Sequence, residues 1–239
     1  MTQDLWLEAH PYLRPLVDLS AQVNRAVDGI EVLDALIPNW EGYRADFLAG
    51  VPLLSSADAA IDLEPVEKMA ASLLERLPPG TSPRFVAWTA MARFLRPVVN
   101  AFDRWRDDQR WLRRYCPTCG SLPAMAQLVG IDSARKRLLS CGCCGTRWQF
   151  KRTGCPFCET DSQRLSSVSI EGESGLRIDH CDSCGGYLKT YDGQGNEAFL
   201  LSDWSSLHLD LIAQDRGLKR HAASLYEFEP AIMRLGADA

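Results

Sequence analysis

Histidine is scarce in this chain, and cysteine is missing from most of it. Among 239 residues there are four scattered histidines, His10, His180, His208 and His221. No cysteine precedes Cys116 and none follows Cys184. There is no His-Glu-x-x-His, no His-x-Glu ahead of a Cys-x-x-Cys, no phosphate-binding glycine loop and no Gly-x-Ser-x-Gly. An open catalytic zinc site, a nucleotide-binding loop and a serine nucleophile elbow are therefore not expected. The residues alone point to no enzyme. Long apolar runs are also lacking: the longest uncharged stretch, Tyr115 to Ile131, is broken by cysteine, proline and glycine, so no membrane insertion is expected. The opening MTQDLWLEAHPYLRPLV carries Asp4 and Glu8 and no basic n-region. It does not read as a secretory signal, and the expected compartment is the reducing cytoplasm.

What is present is concentrated. Eight of the nine cysteines form four Cys-x-x-Cys pairs: Cys116/Cys119, Cys141/Cys144, Cys155/Cys158 and Cys181/Cys184. Each such turn sets two sulfurs on one side of a tight loop, the arrangement a four-coordinate metal needs. Cys119 and Cys141 are separated by 21 residues, Cys158 and Cys181 by 22. A shift of 39 residues lays the first pair on the third, and a shift of 40 lays the second on the fourth; Pro117 then matches Pro156 and Gly145 matches Gly185. This is an internal duplication of one unit made of a knuckle, a β-hairpin and a second knuckle. Sequential pairing is expected, because each repeat carries a complete ligand set; interleaved pairing is the alternative. Gly120, Gly145 and Gly185 follow the second cysteine of their pairs, where freedom to take positive φ lets backbone N–H groups turn toward sulfur. Glu159 occupies that place in the third pair, which predicts a looser geometry there. A disulfide framework is disfavoured in a reducing compartment. Cys143 reads as a spare thiol, with replacement of Cys141 or Cys144 as the alternative. His180 abuts Cys181 beside a complete thiolate set, and reads as a neighbour of the site or a solvated side chain.

With 46% apolar residues, the chain can bury one sizeable core and a smaller metal-held one. The expected fold class is α+β: a helical domain over 1–114, tandem rubredoxin-like or zinc-ribbon modules over 115–202 (115–154 and 155–202), and a C-terminal helix and tail over 203–239. Within the helical domain, one helix is expected to settle after Pro15, and Pro38 to Leu54 to form loop and short helix. A further helix is expected over Leu63 to Leu77, and a long one from Ser82-Pro83 to about Arg114, kinked or broken at Pro97. Its stripe of Phe85, Trp88, Phe94, Leu95, Val99 and Phe102 reads as core. Tyr187 to Leu201 reads as the end of a sheet with a turn at Asp192-Gly193. Asp203 is expected to cap a last helix over Ser205 to Asp215, ended by Gly217.

The net charge is −5, from 26 basic and 31 acidic residues. Arg104 to Arg152 nevertheless holds eleven basic residues against Asp107, Asp108 and Asp132, a local balance of +8. Two filled four-thiolate sites would add about −4 nearby, so part of this cluster offsets thiolate charge. A nucleic-acid partner is not favoured by the overall acidic balance. The cofactors implied are two metal ions, iron or zinc, one per site; spacing does not separate the two. The bland reading is structural metal whose binding energy is folding energy.

The runs Cys116-Pro-Thr-Cys-Gly-Ser-Leu-Pro123, Leu139-Ser-Cys-Gly-Cys-Cys-Gly-Thr-Arg-Trp148, Gly154-Cys-Pro-Phe-Cys158 and Cys181-Asp-Ser-Cys-Gly-Gly-Tyr-Leu-Lys189 resemble the formate dehydrogenase accessory proteins of the FdhE type. So do Leu207-His-Leu-Asp-Leu-Ile-Ala213 and the short signature Gly50-Val-Pro-Leu-Leu54. The match covers Leu112 to Leu218 most closely, and the chain reads as shorter than members of that family. The resemblance implies a cytoplasmic, non-enzymatic maturation factor that binds the immature catalytic subunit of an exported formate dehydrogenase. It also implies that the eight paired cysteines are metal ligands. Trp148, Tyr187 and the helix over Leu207 to Ala213 would supply the contact surface, although such aromatics more commonly serve packing. A zinc-ribbon nucleic-acid binder and a rubredoxin-like electron carrier are the alternatives. The sequence is compatible with a homodimer.

Overall fold

The computed structural model describes residues 3–28, 38–59, 61–131, 135–160, 164–171, 173 and 175–224. The expected tail over 225–239 lies outside the described residues. Helices α1 (Gln3–Ala9), α2 (Arg14–Asp28), α3 (Trp40–Ala49), α4 (Glu64–Leu74) and α5 (Pro83–Trp105) come first. Three strands follow, β1 (Pro123–Val129), β2 (Lys136–Cys141) and β3 (Arg147–Phe150), and then β4 (Leu165–Ser169), β5 (Leu176–Cys181) and β6 (Tyr187–Asp192). Short α6 (Glu197–Leu200) and α7 (Leu207–Asp215) close the fold. Helices and a mixed sheet make an α+β protein, as expected.

Local chemistry explains most boundaries. The Asn39 side chain accepts from the Glu41 amide at the start of α3, and the Ser82 hydroxyl from the Phe85 amide at the start of α5, each satisfying an amide that the helix cannot. Helix α5 runs unbroken through Pro97. Phe94, Leu95, Val98, Val99 and Phe102 on either side of it are all buried, and that burial outweighs the hydrogen bond proline removes. The helix stops at Trp105 rather than near Arg114, because Arg106 leaves helical geometry (φ −70°, ψ 144°) and its guanidinium ties down the sheet. Trp40, Tyr43, Phe47, Phe102, Trp105 and Trp111 stack on one another with ring centroids 5.3–6.2 Å apart, which anchors α3 to the C-terminal end of α5.

The six strands form one sheet in the order β3-β2-β1-β6-β5-β4. Each repeat is an antiparallel meander, β1-β2-β3 and β4-β5-β6. The repeats join head to tail, because β1 pairs with β6 in parallel, Met125 opposite Lys189 through Leu128 opposite Asp192. One large apolar core gathers α2–α5 with Leu139, Trp148, Phe150 and Leu188 of the sheet. A second core lies between the sheet residues Met125, Leu176, Ile178, Tyr187 and Tyr191 and the side chains Trp6, Leu13, Leu209 and Ala213. Adjacent residues such as Tyr187 and Leu188 enter different cores, as the two-residue period of a strand requires.

Strand β6 ends at Asp192 instead of running to Leu201. Gly195 (φ 84°) and Asn196 (φ 59°) turn the chain, and Glu197–Leu200 is helical. Asp203 caps no helix. It lies in a single 3-10 turn, Asp203–Ser206, and α7 begins at Leu207. Its carboxylate instead meets Lys189 Nζ at 2.8 Å and Arg220 Nη2 at 2.7 Å. Lys189 is fully buried and also reaches Asp210 at 2.8 Å, while Arg220 reaches Asp210 at 2.6 Å and the Tyr187 hydroxyl donates to it at 2.6 Å. Two cations thus neutralise two anions under the C-terminal segment. Burial alone would raise the Asp203 pKa, but Lys189 and Arg220 bring it below the usual carboxylate value.

Candidate metal centres

The four knuckles are four copies of one turn. The amides of Gly120, Gly145, Glu159 and Gly185 donate to the carbonyls of Cys116, Cys141, Cys155 and Cys181 at 2.8–3.3 Å. The amides of those four cysteines in turn donate to the carbonyls of Ser121, Thr146, Thr160 and Gly186 at 2.8–2.9 Å. Both closures require a left-handed residue after the second cysteine, and the φ values are 78°, 75°, 62° and 69°. The third knuckle is therefore not looser, contrary to the expectation from the sequence. Glu159 adopts the glycine-like conformation itself, held by the same two hydrogen bonds. Amides also approach sulfur: Cys143 N to Cys141 Sγ, Phe157 N to Cys155 Sγ and Gly186 N to Cys184 Sγ, each 3.4 Å.

The sulfurs gather sequentially, Cys116, Cys119, Cys141 and Cys144 in one cluster and Cys155, Cys158, Cys181 and Cys184 in the other. Each hairpin carries its second knuckle back beside its first. Four sulfurs bonded at about 2.3 Å to a central ion would stand about 3.8 Å apart. The closest pairs here are Cys155–Cys184 at 3.8 Å, Cys158–Cys181 at 3.7 Å, Cys116–Cys144 at 3.5 Å and Cys119–Cys141 at 3.4 Å. The second cluster matches the tetrahedral spacing, and the first is a few tenths of an ångström tighter. Both could hold a metal ion, and tetrahedral sulfur suits zinc and iron alike. Cys143 belongs to neither cluster. It is buried with Sγ 3.5 Å from Met91 Sδ on α5, which fits a spare packing thiol.

The electrostatics of the clusters favour a cation. Burial pushes the Cys116 thiol well above its ordinary value, and hydrogen bonds with Cys116 and its neighbours hold Cys119 far below. In the second cluster burial pushes Cys155 up to about 12, while the hydrogen bond with Thr160 brings Cys158 down to about 6. Cys119 and Cys158 thus form thiolates readily beside the buried Cys116 and Cys155, which a central positive charge would help to ionise.

Side chains beyond the cysteines complete the sites. The hydroxyls of Ser121, Thr146 and Thr160 lie 3.1–3.4 Å from Cys119, Cys144 and Cys158. Each stands two residues after the second cysteine of its pair, a recurrence visible in the sequence but not read from it. The Gly50–Leu54 segment clasps the first knuckle: Leu53 N donates to Pro117 O and Leu54 N to Thr118 O, both 2.8 Å, and the Tyr115 hydroxyl donates to Gly50 O at 2.8 Å. A Cβ on Gly120 would stand 3.3 Å from Pro52. On the second centre the segment after α7 holds the fourth knuckle instead, Lys219 N donating to Gly185 O at 2.7 Å and Tyr187 N to Lys219 O at 3.1 Å, and Cys158 is exposed.

Part of the basic cluster is internal wiring, while Arg104, Arg110, Arg113, Lys136, Lys151 and Arg152 are exposed. Arg106 donates to Arg147 O and pairs with Asp103 and Asp108; Arg114 donates to Phe157 O; Arg137 donates to Gly154 O at 2.6 Å; and Arg147 meets Gln127. Arg135 pairs with Asp192. Trp148 and Tyr187 are 0% and 3% exposed, so neither forms a contact surface; their place on the pleat turns them inward, Trp148 with its indole N–H on Arg113 O. His180 lies 3.3 Å from Asp182 and lines a cavity of about 160 Å³ behind Cys155 and Cys181 with Arg135, Arg137 and Arg177. A larger groove of about 790 Å³ runs beside the first centre, lined by Trp88, Arg93, Arg96, Cys143, Glu197 and Trp204.

Two four-cysteine clusters on a head-to-tail duplicated sheet, packed against helices, define a protein of tandem four-cysteine modules, each of which could hold a metal ion. Comparison with known proteins narrows this class. The family profile described as "FdhE, central domain" matches residues 115–152. Protein FdhE homolog of Aquifex aeolicus is 32% identical over 130 residues, covering 52% of this chain and 46% of that protein. Protein FdhE of Escherichia coli O139:H28 is 26% identical over 248 residues, covering 95% of this chain and 78% of that protein. The crystal structure of the FdhE protein from Pseudomonas aeruginosa shares the fold with a TM-score of 0.58 at 23% identity, over 92% of this chain and 90% of that one. The chain is thus similar to FdhE proteins along most of its length, and to that family's central domain over residues 115–152. Among the described residues, no helix is long and apolar enough to cross a membrane.

Proposed function

We infer that this chain is a maturation factor for formate dehydrogenase, acting in the cytoplasm on the immature catalytic subunit without being an enzyme itself. Cys116, Cys119, Cys141 and Cys144 would hold one metal ion and Cys155, Cys158, Cys181 and Cys184 a second. The observation that carries the reading is the clasp on the first knuckle. The Gly50–Leu54 segment, which resembles the family's short N-terminal signature, hydrogen-bonds to Pro117 and Thr118 between Cys116 and Cys119. A metal there would thus organise the helical domain as well as its own module, and any partner surface spanning both would depend on it. The groove lined by Trp88, Arg93, Arg96 and Trp204 spans α5 and the second knuckle, and we assign the catalytic-subunit contact to it in place of the buried Trp148 and Tyr187.

Anaerobic affinity purification from the native host tests this reading. The wild type should recover the formate dehydrogenase catalytic subunit, and a folded Cys116→Ser/Cys119→Ser variant should not. Recovery of equal amounts with both would remove the metal from the account; recovery with neither would remove the partner.

Exposure of Cys158 favours one second reading, electron exchange through an iron-filled second centre. Reversible bleaching of the iron-loaded protein on reduction would support it. The arginine contacts described above leave less of the basic cluster free for nucleic acid, and salt-independent behaviour on DNA and RNA is expected.

A further inference from the structure

His10, Glu173 and His208 lie 163 and 35 residues apart in sequence, yet their ligand atoms all fall within 4.8 Å of one another. His10 sits between α1 and the 3-10 turn Pro11–Leu13, Glu173 in the connection between β4 and β5, and His208 in the first turn of α7. His10 Nε2 is 3.6 Å and His208 Nε2 2.6 Å from Glu173 Oε1. In a tetrahedral site with bonds of about 2.0–2.1 Å, ligand atoms stand about 3.3 Å apart, a value these two distances bracket.

The cluster is sheltered. The three side chains are 13%, 8% and 14% exposed, and the two imidazoles stack at 4.5 Å with 15° between planes. Trp6 closes the inner side, 4.2 Å from the His10 ring and 5.9 Å from that of His208, and Tyr12 meets both rings edge-on. A second observation is independent of these distances. Glu173 Oε2 and His208 Nδ1 are buried with no hydrogen-bond partner. Two unpaired polar atoms in one place are costly, and an ion reached by the Glu173 carboxylate is one of the few things that would relieve that cost.

We propose that His10, Glu173 and His208 form a third metal site, sulfur-free and separate from the cysteine centres, that takes a first-row divalent ion of the zinc class. Two imidazoles and one carboxylate are donors suited to zinc and leave at least one coordination position open. The ion would join three pieces of chain that no local contact in sequence brings together: the N-terminal helix, the β4–β5 connection and α7. Helix α1 buries only Trp6 and Leu7, so a tether at its C-terminal end would fix how it lies over the second module.

Metal counting on the full chain tests the proposal. Wild type, His208→Ala and Glu173→Gln would be equilibrated with zinc, freed of unbound ion by gel filtration, and assayed for zinc, iron and protein. Both variants should carry one equivalent less than the wild type, whatever the cysteine centres hold, so the count is independent of the maturation reading. Zinc should also raise the melting temperature of the wild type above that of either variant. His10→Ala replaces His208→Ala if circular dichroism shows that α7 is disturbed. Equal metal content in the wild type and the folded variants would overturn the proposal and leave an ion pair between His208 and Glu173.

Discussion

Both cysteine centres use one turn four times, but their surroundings differ. Cys116, Cys141 and Cys144 are 0%, 3% and 4% exposed, beneath the Gly50–Leu54 clasp and beside Met91 of α5. In the second centre Cys158 is exposed and Cys184 half-buried. The first module leans on an apolar helical core, the second on a smaller core and a buried ion network around Lys189. A duplicated unit thus keeps its ligand geometry, which backbone hydrogen bonds dictate, while its environment diverges with whatever packs against it. The closed centre is tied into the helical core, and the open one faces solvent at Cys158.

Removing each centre in turn should break this comparison most visibly. Structural four-cysteine sites bind with apparent energies of about 10–16 kcal/mol, comparable with the whole stability of a domain, about 5–15 kcal/mol. Cys116→Ser/Cys144→Ser should therefore markedly lower the midpoint of the helical transition in thermal circular dichroism. Cys155→Ser/Cys158→Ser should leave the α2–α5 signal standing. Equal loss in both would mean that the centres are equivalent.

Lys189→Met should come next, at about 3–5 kcal/mol in denaturant unfolding, because it leaves Asp203 and Asp210 buried with Arg220 alone. The same network sets an acid limb. Asp203 has a depressed folded pKa, so its stabilisation is present above the unfolded value of about 3.9. It is lost as pH falls through the lower folded value. Asp203→Asn should lack that part of the acid slope.

Accessibility gives a smaller difference. Mass spectrometry during limited alkylation with a chelator should find Cys158 modified first, on the order of tenfold faster than Cys116 or Cys141, the factor that about 1.4 kcal/mol of local opening energy gives. The smallest effect sharpens the comparison at the third knuckle. Glu159→Gly should stabilise by about 1 kcal/mol, by removing a side chain from left-handed backbone, since its ion pair with Arg114 is exposed and long at 3.8 Å. Gly120→Ala should destabilise by about 1–2 kcal/mol at the same kind of position, with Pro52 in the way.

The sequence carried the site better than the fold around it. Knuckle spacing and its repeat led directly to the sequential clusters, because ligand turns are local. The end of α5 was not legible: Arg106-Asp-Asp-Gln-Arg contains no helix breaker, and the helix ends where Arg106 finds a strand carbonyl far along the chain. Asp203 had the form of a helix cap, but its partners Lys189 and Arg220 are visible only once β6 and the C-terminal segment lie together. Trp148 and Tyr187 sit on alternating strands, where the inward face depends on which helices cover the sheet. His10, Glu173 and His208 had no spacing to betray them.

The parallel join between β1 and β6 has a consequence for how far such a molecule can grow. Among the described residues, a head-to-tail contact leaves a first-type strand, β4, unpaired at one rim and a third-type strand, β3, at the other, so in principle the same join could repeat from one copy to the next into an open ribbon. At the β3 rim the Arg106 guanidinium occupies the Arg147 carbonyl, a bond that an incoming strand would need. At the β4 rim, Ser166, Ser167 and Ser169 are exposed, a polar rim with little apolar surface to reward pairing. The arginine that ends α5 is therefore also a terminator, and its loss would expose an edge already shaped to accept the far end of a second molecule.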